Sequence, residues 1–377
     1  MSRQVKIGGF DHVQAVAVGG GLRPVIQTMW KDRLSFGDIE GEAGAALVSR
    51  IDTLGRMGCG LLRFAVPDME AAEILGQLAS MVTMPLVADI HFDYKIALRC
   101  LDFPIAKIRI NPGNIGPYGT PSTSKKIAAL LSKAAARSCP IRIGVNAGSL
   151  PQDIRRKVEE GLDSAEALVL AAERELAVFQ EFGFKDVLVS MKASGIADTI
   201  NANRMLAQRS DVPLHIGVTE AGPLIPGVVR NTAALTVLLA EGIGDTIRVS
   251  LSDTPEKEVI AGREILMAVA DLSENDEQGR GARPSGVRIV SCPRCGRSSF
   301  DSIAFAEAWQ TRLYALDKDI TVAIMGCAVN GPEEARHADL GITGTGNKVL
   351  IFCQGKLVRT IEPHEADAAF QQELDRI

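Results

Sequence analysis

Three cysteines near the end of the chain are the residues best suited to hold a metal. Cys292 and Cys295 lie in Ser-Cys-Pro-Arg-Cys-Gly, and Cys327 lies in Met-Gly-Cys-Ala-Val-Asn-Gly-Pro-Glu-Glu. A zinc ribbon needs a second cysteine pair about 15 to 20 residues after the first, and a redox dithiol needs no third thiol. Three thiolates suit a [4Fe-4S] cluster that leaves one iron for an oxygen ligand or a substrate.

Two adjacent glutamates are candidates for that oxygen ligand. Gly326, Gly331 and Pro332 predict a tight turn after a strand, which would bring the carboxylate of Glu333 or Glu334 toward the thiols. Acidic residues at a helix start also complement the helix dipole without any metal. The sequence alone leaves open both whether a glutamate is a ligand and which of the two it would be.

The elements that position a second set of polar residues lie between residues 25 and 250. Eight short β-branched runs alternate there with helix-period stretches such as 43–57, 164–182, 231–241 and, after the last run, 255–270. This alternation predicts a (β/α)8 TIM-type barrel. The eight predicted strands are 25–29, 61–66, 86–89, 107–110, 141–145, 187–192, 214–218 and 246–250.

Polar side chains lie within or at the ends of most of these runs, and barrel active sites form where the strands end. Four arginines and a lysine in one barrel mouth repel one another unless an anion or carboxylates neutralise them, so a diphosphate-like ligand is expected. Ion pairing inside the barrel is the alternative. The predicted set is Arg63, Asp89, His91, Arg109, Asn111, Arg142, Asn146, Lys192, Thr219, Glu220, Arg248 and Ser250.

The domain organisation follows from a change in composition after the barrel. Residues 1–272 are predicted to form the barrel, the polar segment 273–285 a linker, and residues 286–377 a small α/β domain that carries the three clustered cysteines. In this last domain we expect strands at 287–290, 321–325, 348–352 and 356–361, a helix at 300–316 and a final helix.

Composition excludes several classes of function. The net charge of −5 argues against sequence-independent nucleic-acid binding. The N-terminus lacks an apolar signal run and the longest apolar stretch, 233–240, is too short to span a bilayer, so a cytoplasmic protein without a membrane partner is expected. The other four cysteines are predicted to be core residues: Cys59, Cys100, Cys139 and Cys353.

Seven motifs together resemble one family, the bacterial 4-hydroxy-3-methylbut-2-en-1-yl diphosphate synthases of the non-mevalonate isoprenoid pathway, over nearly the whole chain. They are Ala88-Asp-Ile-His-Phe92, Lys107-Ile-Arg-Ile-Asn-Pro-Gly-Asn-Ile115, Ile141-Arg-Ile-Gly-Val-Asn-Ala-Gly-Ser-Leu150, His215-Ile-Gly-Val-Thr-Glu-Ala-Gly222, Gly244-Asp-Thr-Ile-Arg-Val-Ser250, Cys292-Pro-Arg-Cys-Gly-Arg297 and Gly326-Cys-Ala-Val-Asn-Gly-Pro332.

The resemblance implies a cofactor, a reaction and partners. A [4Fe-4S] cluster would be held by Cys292, Cys295, Cys327 and Glu334, the last by its position after Cys327. The reaction would be the two-electron ring opening and dehydroxylation of 2-C-methyl-D-erythritol 2,4-cyclodiphosphate, with flavodoxin or ferredoxin as electron donor. The resemblance also implies a homodimer in which the cluster domain of one subunit faces the barrel of the other. The barrel arginines would then bind the diphosphate, and Glu220 is the candidate proton donor.

Three positions depart from the family pattern. The loop after the first barrel strand is Asn-Thr-Asp-Thr-like in the family and reads Trp30-Lys-Asp-Arg-Leu34 here; Glu333 stands where glycine is usual; and Ser194-Gly195 replaces Ser-Asp. Two rival interpretations remain: a pterin-type or aldolase-type barrel with a structural metal, and an electron carrier or zinc-ribbon module fused to an inert barrel.

Overall fold

The structure, a computed structural model, describes residues 1–91, 93–116, 120–272, 285–329 and 331–377. The chain divides into two compact units, Met1–Pro284 and Ser285–Ile377. The predicted linker at 273–285 lies outside the described residues except for Ser285.

The first unit begins with a hairpin and continues as a barrel. Strands β1 (Val5–Ile7) and β2 (Val16–Val18) pair antiparallel, and neither was predicted. The barrel strands are β3 (Val25–Met29), β4 (Cys59–Ala65), β5 (Leu86–Asp89), β6 (Lys107–Ile110), β7 (Ile141–Asn146), β8 (Val187–Lys192), β9 (His215–Ile216) and β10 (Thr246–Ile247).

These eight strands form one parallel sheet in the order β8-β7-β6-β5-β4-β3-β10-β9. A parallel bridge between Val189 and Leu214 joins the two ends of that order. The predicted barrel is therefore confirmed. Strands β9 and β10 are shorter than predicted, so Thr219, Arg248 and Ser250 follow their strands in loops.

Nine helices surround the sheet in the described part of this unit. They are α1 (Gly41–Arg56), α2 (Met69–Ala79), α3 (Tyr94–Cys100), α4 (Pro121–Ala136), α5 (Gln152–Glu159), α6 (Ser164–Glu181), α7 (Ile196–Arg209), α8 (Leu224–Ala240) and α9 (Pro255–Leu272). Within the described ranges, no helix is long and apolar enough to cross a membrane.

The amino-terminal end of the barrel is closed by the hairpin. Side chains of β1 and β2 pack against residues at or near the beginnings of barrel strands, so polar side chains at the opposite ends of the strands are left to form a site. This cluster consists of Val5, Ile7, Val13, Val18, Leu61, Val87, Ala106 and Leu188.

The second unit is a mixed five-stranded sheet with three helices among its described residues. Its strands lie in the order β11 (Arg288–Ser291), β12 (Thr321–Met325), β13 (Leu340–Thr345), β14 (Lys348–Cys353) and β15 (Lys356–Ile361), the first three parallel and the rest antiparallel. Its helices are α10 (Ser302–Tyr314), α11 (Gly331–Arg336) and α12 (Ala366–Leu374).

The core of the second unit is aromatic. The ring centroids of Phe305 and Trp309 are 5.6 Å apart, and those of Trp309 and Phe370 are 4.8 Å apart. Strand β13 was not predicted, because its sequence, Leu-Gly-Ile-Thr-Gly-Thr, contains two glycines. Glycine is needed at Gly341, where a Cβ would lie 2.4 Å from that of Ala335.

Candidate active site and candidate iron-sulfur site

A cavity of ≈ 210 Å³ lies at the carboxyl end of the barrel. Ten of the predicted residues line it, together with Met29 and Ser190. The sequence analysis missed these two because Met29 is apolar and Ser190 lies in the middle of its predicted strand. The predicted lining residues are Arg63, Asp89, His91, Arg109, Arg142, Asn146, Lys192, Thr219, Arg248 and Ser250.

Strand register turns polar side chains of neighbouring strands to the same side of the sheet. Asp89 on β5 lies opposite Arg109 on β6, and Arg109 lies opposite Arg142 on β7. On the next pair of strands, Asn146 lies opposite Lys192. Because paired residues of parallel strands point to the same side of the sheet, these groups converge in the barrel interior.

Among the described residues that line the cavity, Asp89 is the only carboxylate. Its oxygens lie 3.1 Å from an Arg109 nitrogen and 3.6 Å from both Arg63 Nε and His91 Nε2. Burial disfavours its charge, but Arg63, the His91 hydrogen bond and Arg109 prevail and hold the pKa of Asp89 well below its usual range. Asp89 is therefore an anion at neutral pH.

The cavity holds more positive charge than Asp89 can balance. Arg142 is 1% exposed, and neither its Nε nor its Nη1 has a hydrogen-bond partner in the part of the chain that the structure describes. Burial, Arg63 and Arg109 lower the pKa of Arg142 well below its usual value. Burial, Arg248 and Arg142 do the same to the pKa of Lys192. Such an arrangement is costly unless an anion neutralises it, so the charge of the cavity suits an anionic ligand.

Arg248 is held by a residue that the sequence analysis missed. Glu258, on α9, accepts hydrogen bonds from Arg248 Nη2 at 3.0 Å and Nε at 3.2 Å. In the sequence, an acidic residue in the first turn of a helix looks like a dipole-complementing group, and only the fold shows that its side chain enters the barrel.

Two predicted site residues do not line the cavity. Asn111 is buried, and its Oδ1 accepts a hydrogen bond from the Gly113 amide at 3.2 Å, which shapes the loop after β6. Glu220 is exposed in the loop after β9, with a positive φ of 53°. It follows Thr219, which does line the cavity, so Glu220 lies near the rim in sequence but its carboxylate is outside the lining.

The clustered cysteines follow two neighbouring strands. Ser291, the last residue of β11, pairs in register with Ile324 on the adjacent parallel strand β12. Cys292 and Cys327 therefore leave the sheet at the same edge. The Gly326 amide donates a hydrogen bond to Cys292 Sγ at 3.1 Å.

The surroundings of Cys292 stabilise a thiolate. Burial opposes the charge, but the Ser302 hydroxyl and the backbone amides of Arg294 and Gly326 outweigh it and lower the pKa of Cys292. Arg294 has a positive φ of 58°, which turns the chain between Cys292 and Cys295. Backbone N–H groups that point at a cysteine sulfur favour the ligating form of the residue.

The two glutamates on α11 differ in their contacts. Glu333 lies 3.7 Å from an Arg336 nitrogen and 3.5 Å from His337 Nε2. Glu334 is exposed, and its carboxylate makes no hydrogen bond or ion pair within the described residues. The donor types thus fit an iron-sulfur cluster, although no three His, Cys, Asp or Glu side chains in the described ranges are gathered closely enough to hold a metal.

Three of the four remaining cysteines are buried, as predicted: Cys59, Cys100 and Cys139. Cys353 is only partly buried, but it packs against the hydrophobic core of the second unit. Its Sγ lies 3.8 Å from Glu373 Oε2.

The fold and the site define a class of protein: a TIM barrel with a cationic cavity, joined to a small α/β domain with three clustered cysteines. More narrowly, the chain belongs to the GcpE family. The GcpE TIM-barrel domain matches residues 3–263, and the GcpE protein C-terminal domain matches residues 288–376. The family resemblance predicted from the motifs is confirmed.

The curated relatives carry one name. A protein of Treponema pallidum (strain Nichols), called 4-hydroxy-3-methylbut-2-en-1-yl diphosphate synthase (flavodoxin), is 48% identical, with 100% of this chain and 92% of the relative covered. Proteins with the same name from Treponema denticola and Geobacter sulfurreducens are 45% and 41% identical, covering 100% of this chain and 99% and 98% of the relatives.

A solved structure that the chain resembles is a more distant match. A dihydropteroate synthase of Xanthomonas albilineans is 14% identical, with a TM-score of 0.43, covering 73% of this chain and 99% of the other. A similarity at this level carries no argument about function.

Proposed function

We propose that this enzyme opens the ring of 2-C-methyl-D-erythritol 2,4-cyclodiphosphate and removes a hydroxyl as water, producing 4-hydroxy-3-methylbut-2-enyl diphosphate for isoprenoid biosynthesis. Two electrons and a proton enter, the ring C–O bond to phosphate breaks, and the diphosphate stays on the product. The synthase name shared by relatives up to 48% identical supports this activity. The observation that carries it in the molecule is the surplus of buried cations in the barrel cavity.

Arginine side chains are the proposed ligands of the diphosphate. Guanidinium groups present paired donors that match phosphate oxygens, and such bonds are short and strong. The unpartnered Nε atoms of Arg63, Arg109 and Arg142 supply donors that the described part of the protein does not satisfy. Lys192 at the end of β8 and Arg248 after β10 are the other two basic side chains that line the cavity. Asn146, Thr219 and Ser250 provide neutral groups for the remaining substrate oxygens, and the predicted Asn111 would act only through its loop.

Proton delivery is assigned by excluding Asp89. Its pKa lies well below the usual range, so Asp89 cannot donate a proton at neutral pH and instead orients Arg63, Arg109 and a substrate hydroxyl. Glu220 remains the proposed donor. Because its carboxylate lies outside the cavity lining, we propose that the proton reaches the substrate after this loop rearranges.

The proposed cofactor is a [4Fe-4S] cluster held by Cys292, Cys295, Cys327 and Glu334. When bound, such a cluster supplies electrons one at a time and an iron that acts as a Lewis acid. The chain contributes N–H groups that stabilise the Cys292 thiolate. The ion pairs of Glu333 favour Glu334 as the fourth ligand, since Glu334 has no competing partner among the described residues.

Flavodoxin is the proposed electron donor, as in the names of the relatives, with ferredoxin as the alternative. A homodimer in which the cluster domain faces the partner's barrel, and a cytoplasmic location, also remain proposals that rest on the family resemblance and the composition. Light scattering of the purified chain tests the dimer directly.

Anaerobic reconstitution tests the proposed cofactor. Iron and sulfide are measured in the full-length protein and in Cys292→Ser, Cys295→Ser and Cys327→Ser. The matched control is Cys353→Ser, which removes a thiol from the same domain but not from the proposed ligand set. The proposal predicts four irons per chain in the wild-type protein and in the control, and a loss in each ligand variant. Zinc alone in the wild-type protein would favour the structural-metal interpretation.

A further inference from the structure

The Glu258 carboxylate is shared by more groups than one ion pair needs. It is 1% exposed and accepts hydrogen bonds from Thr28 Oγ1 at 2.7 Å, from the Leu251 amide at 3.0 Å and from both Nε and Nη2 of Arg248. The fifth donor atom is Lys31 Nζ, at 2.5 Å. Glu258 therefore joins the loop after β3 to the cavity residue Arg248.

Lys31 belongs to the loop that departs from the family pattern, and the neighbouring Trp30 places it. The Trp30 amide donates to the Arg63 carbonyl at 2.8 Å, and its ring stacks on Phe64 with centroids 5.7 Å apart. Lys31 Nζ also donates to the Leu251 carbonyl at 3.0 Å. The lysine is thus fixed at both ends, which a surface lysine is not.

The charges in this network do not balance. One carboxylate meets two cations, so the group of Lys31, Arg248 and Glu258 carries a net charge of about +1. Burial opposes the charge of Glu258, but Arg248 and Lys31 lower its pKa, so it stays ionised. Asp253 interacts with Lys31 at longer range and offsets part of this charge. A purely structural pair is complete with one cation, and a second cation in contact with the same carboxylate is unfavourable unless anions lie nearby. Arg248 uses Nε and Nη2 on Glu258, which leaves Nη1 for an acceptor in the cavity.

We propose that Lys31 is a positioning residue for the anion site: by sharing Glu258, it leaves part of the Arg248 charge to the bound diphosphate. This inference rests on the proposed diphosphate site. Without Lys31, Arg248 would be the only cation on Glu258 and would attract an anion less strongly. The lysine in this chain thereby tunes substrate affinity without touching the substrate.

The first test is calorimetric titration of the full-length protein with inorganic pyrophosphate. Lys31→Met, which keeps the chain length and removes the charge, should weaken binding by about three- to tenfold. The matched control is Arg33→Met, which removes an equal charge from the same loop. Arg33 pairs instead with Asp68 at 2.7 Å and is 64% exposed, so this variant should bind like the wild-type protein.

The second test asks whether Lys31 acts through Arg248. In an Arg248→Met background, Lys31→Met should change pyrophosphate binding much less than it does alone. Thermal unfolding of each variant checks that the barrel is intact. An undiminished effect in that background would mean direct contact between Lys31 and the ligand, and would overturn the inference.

The remaining outcomes separate the two proposals. Equal losses of pyrophosphate affinity in Lys31→Met and Arg33→Met would indicate that any positive charge in this loop attracts the anion, and would overturn the specific role of Lys31. Wild-type affinity in Lys31→Met would overturn it as well, while leaving the diphosphate site standing. A wild-type protein that does not bind pyrophosphate would remove the site itself.

Discussion

Replacing Arg142 by methionine should make the protein more stable but weaken its binding of anions. Arg142 is 1% exposed, and its Nε and Nη1 lack partners among the described residues. Each buried donor without a partner costs about 1 to 3 kcal/mol. Methionine fills most of the same space without those donors, and loses about 1 kcal/mol of packing. With two such donors, the expected gain is about 1 to 5 kcal/mol in the free energy of unfolding, or about 2 to 10 °C in the unfolding midpoint.

Binding should change in the opposite direction. Hydrogen bonds to charged groups contribute about 1.5 to 3 kcal/mol, so pyrophosphate should bind Arg142→Met about 10- to 100-fold more weakly. Differential scanning fluorimetry gives the midpoint, and calorimetric titration gives the affinity. Both measurements use the full-length protein. The unfolding experiment is done without substrate or pyrophosphate, because a bound anion would stabilise the wild-type protein and mask the gain.

Arg109→Met is the matched control, because Arg109 differs from Arg142 in having partners. Its Nη1 lies 3.1 Å from Asp89 Oδ1 and its Nη2 donates to the Gly144 carbonyl at 3.2 Å. Removing it leaves Asp89 less well paired, so this variant should lose about 1 to 3 kcal/mol of stability. If Arg142→Met is less stable than the wild-type protein, or binds pyrophosphate equally well, then the free donors of Arg142 do not serve to bind an anion.

Two further predictions concern a buried acid and a glycine. Burial raises the pKa of Glu175 to about 8, well above that of an exposed glutamate, so its contribution to stability is present at low pH and is lost as the pH rises through 8. Glu175→Gln, which keeps the acceptor for the Gly113 amide, should gain up to about 3 kcal/mol over wild type between pH 5 and pH 8 in urea unfolding; a constant difference would contradict this. At Gly326, a Cβ would lie 1.8 Å from Ser298 Oγ and 3.3 Å from Cys292 Sγ, so Gly326→Ala should at least halve the iron bound after reconstitution. Gly296→Ala, where a Cβ meets nothing within 4 Å, is its control and should bind iron normally.

The barrel and most of its cavity could be predicted from the sequence for a physical reason. Parallel strands buried on both faces read as short β-branched runs, and their ends must meet at one mouth. A charged side chain on such a strand, as at Asp89 or Arg142, can therefore be expected in the cavity at the mouth of the barrel. Local geometry is harder to foresee. Glu220 has a left-handed backbone, and Asn111 Oδ1 accepts a hydrogen bond from the Gly113 amide in the turn after β6. These local features keep the two side chains away from the cavity.

Contacts made by helices and loops could not be predicted. Glu258 looks like an ordinary first-turn acid, and Lys31 like a surface cation, until the packing of α9 against β3 places both beside Arg248. The hairpin of β1 and β2 has only three residues in each strand, too few for a period-two pattern. In the second domain, two glycines conceal β13, since they are selected by close packing rather than by strand propensity.

Turnover by the reconstituted full-length protein is the most direct test of the proposed activity. The protein is incubated anaerobically with 2-C-methyl-D-erythritol 2,4-cyclodiphosphate and reduced flavodoxin. The products are then separated by chromatography and identified by mass spectrometry. We expect 4-hydroxy-3-methylbut-2-enyl diphosphate, formed only with the reductant and lost in Cys327→Ser. If a wild-type preparation with full iron and sulfide leaves the cyclic diphosphate unchanged, the proposed function is wrong.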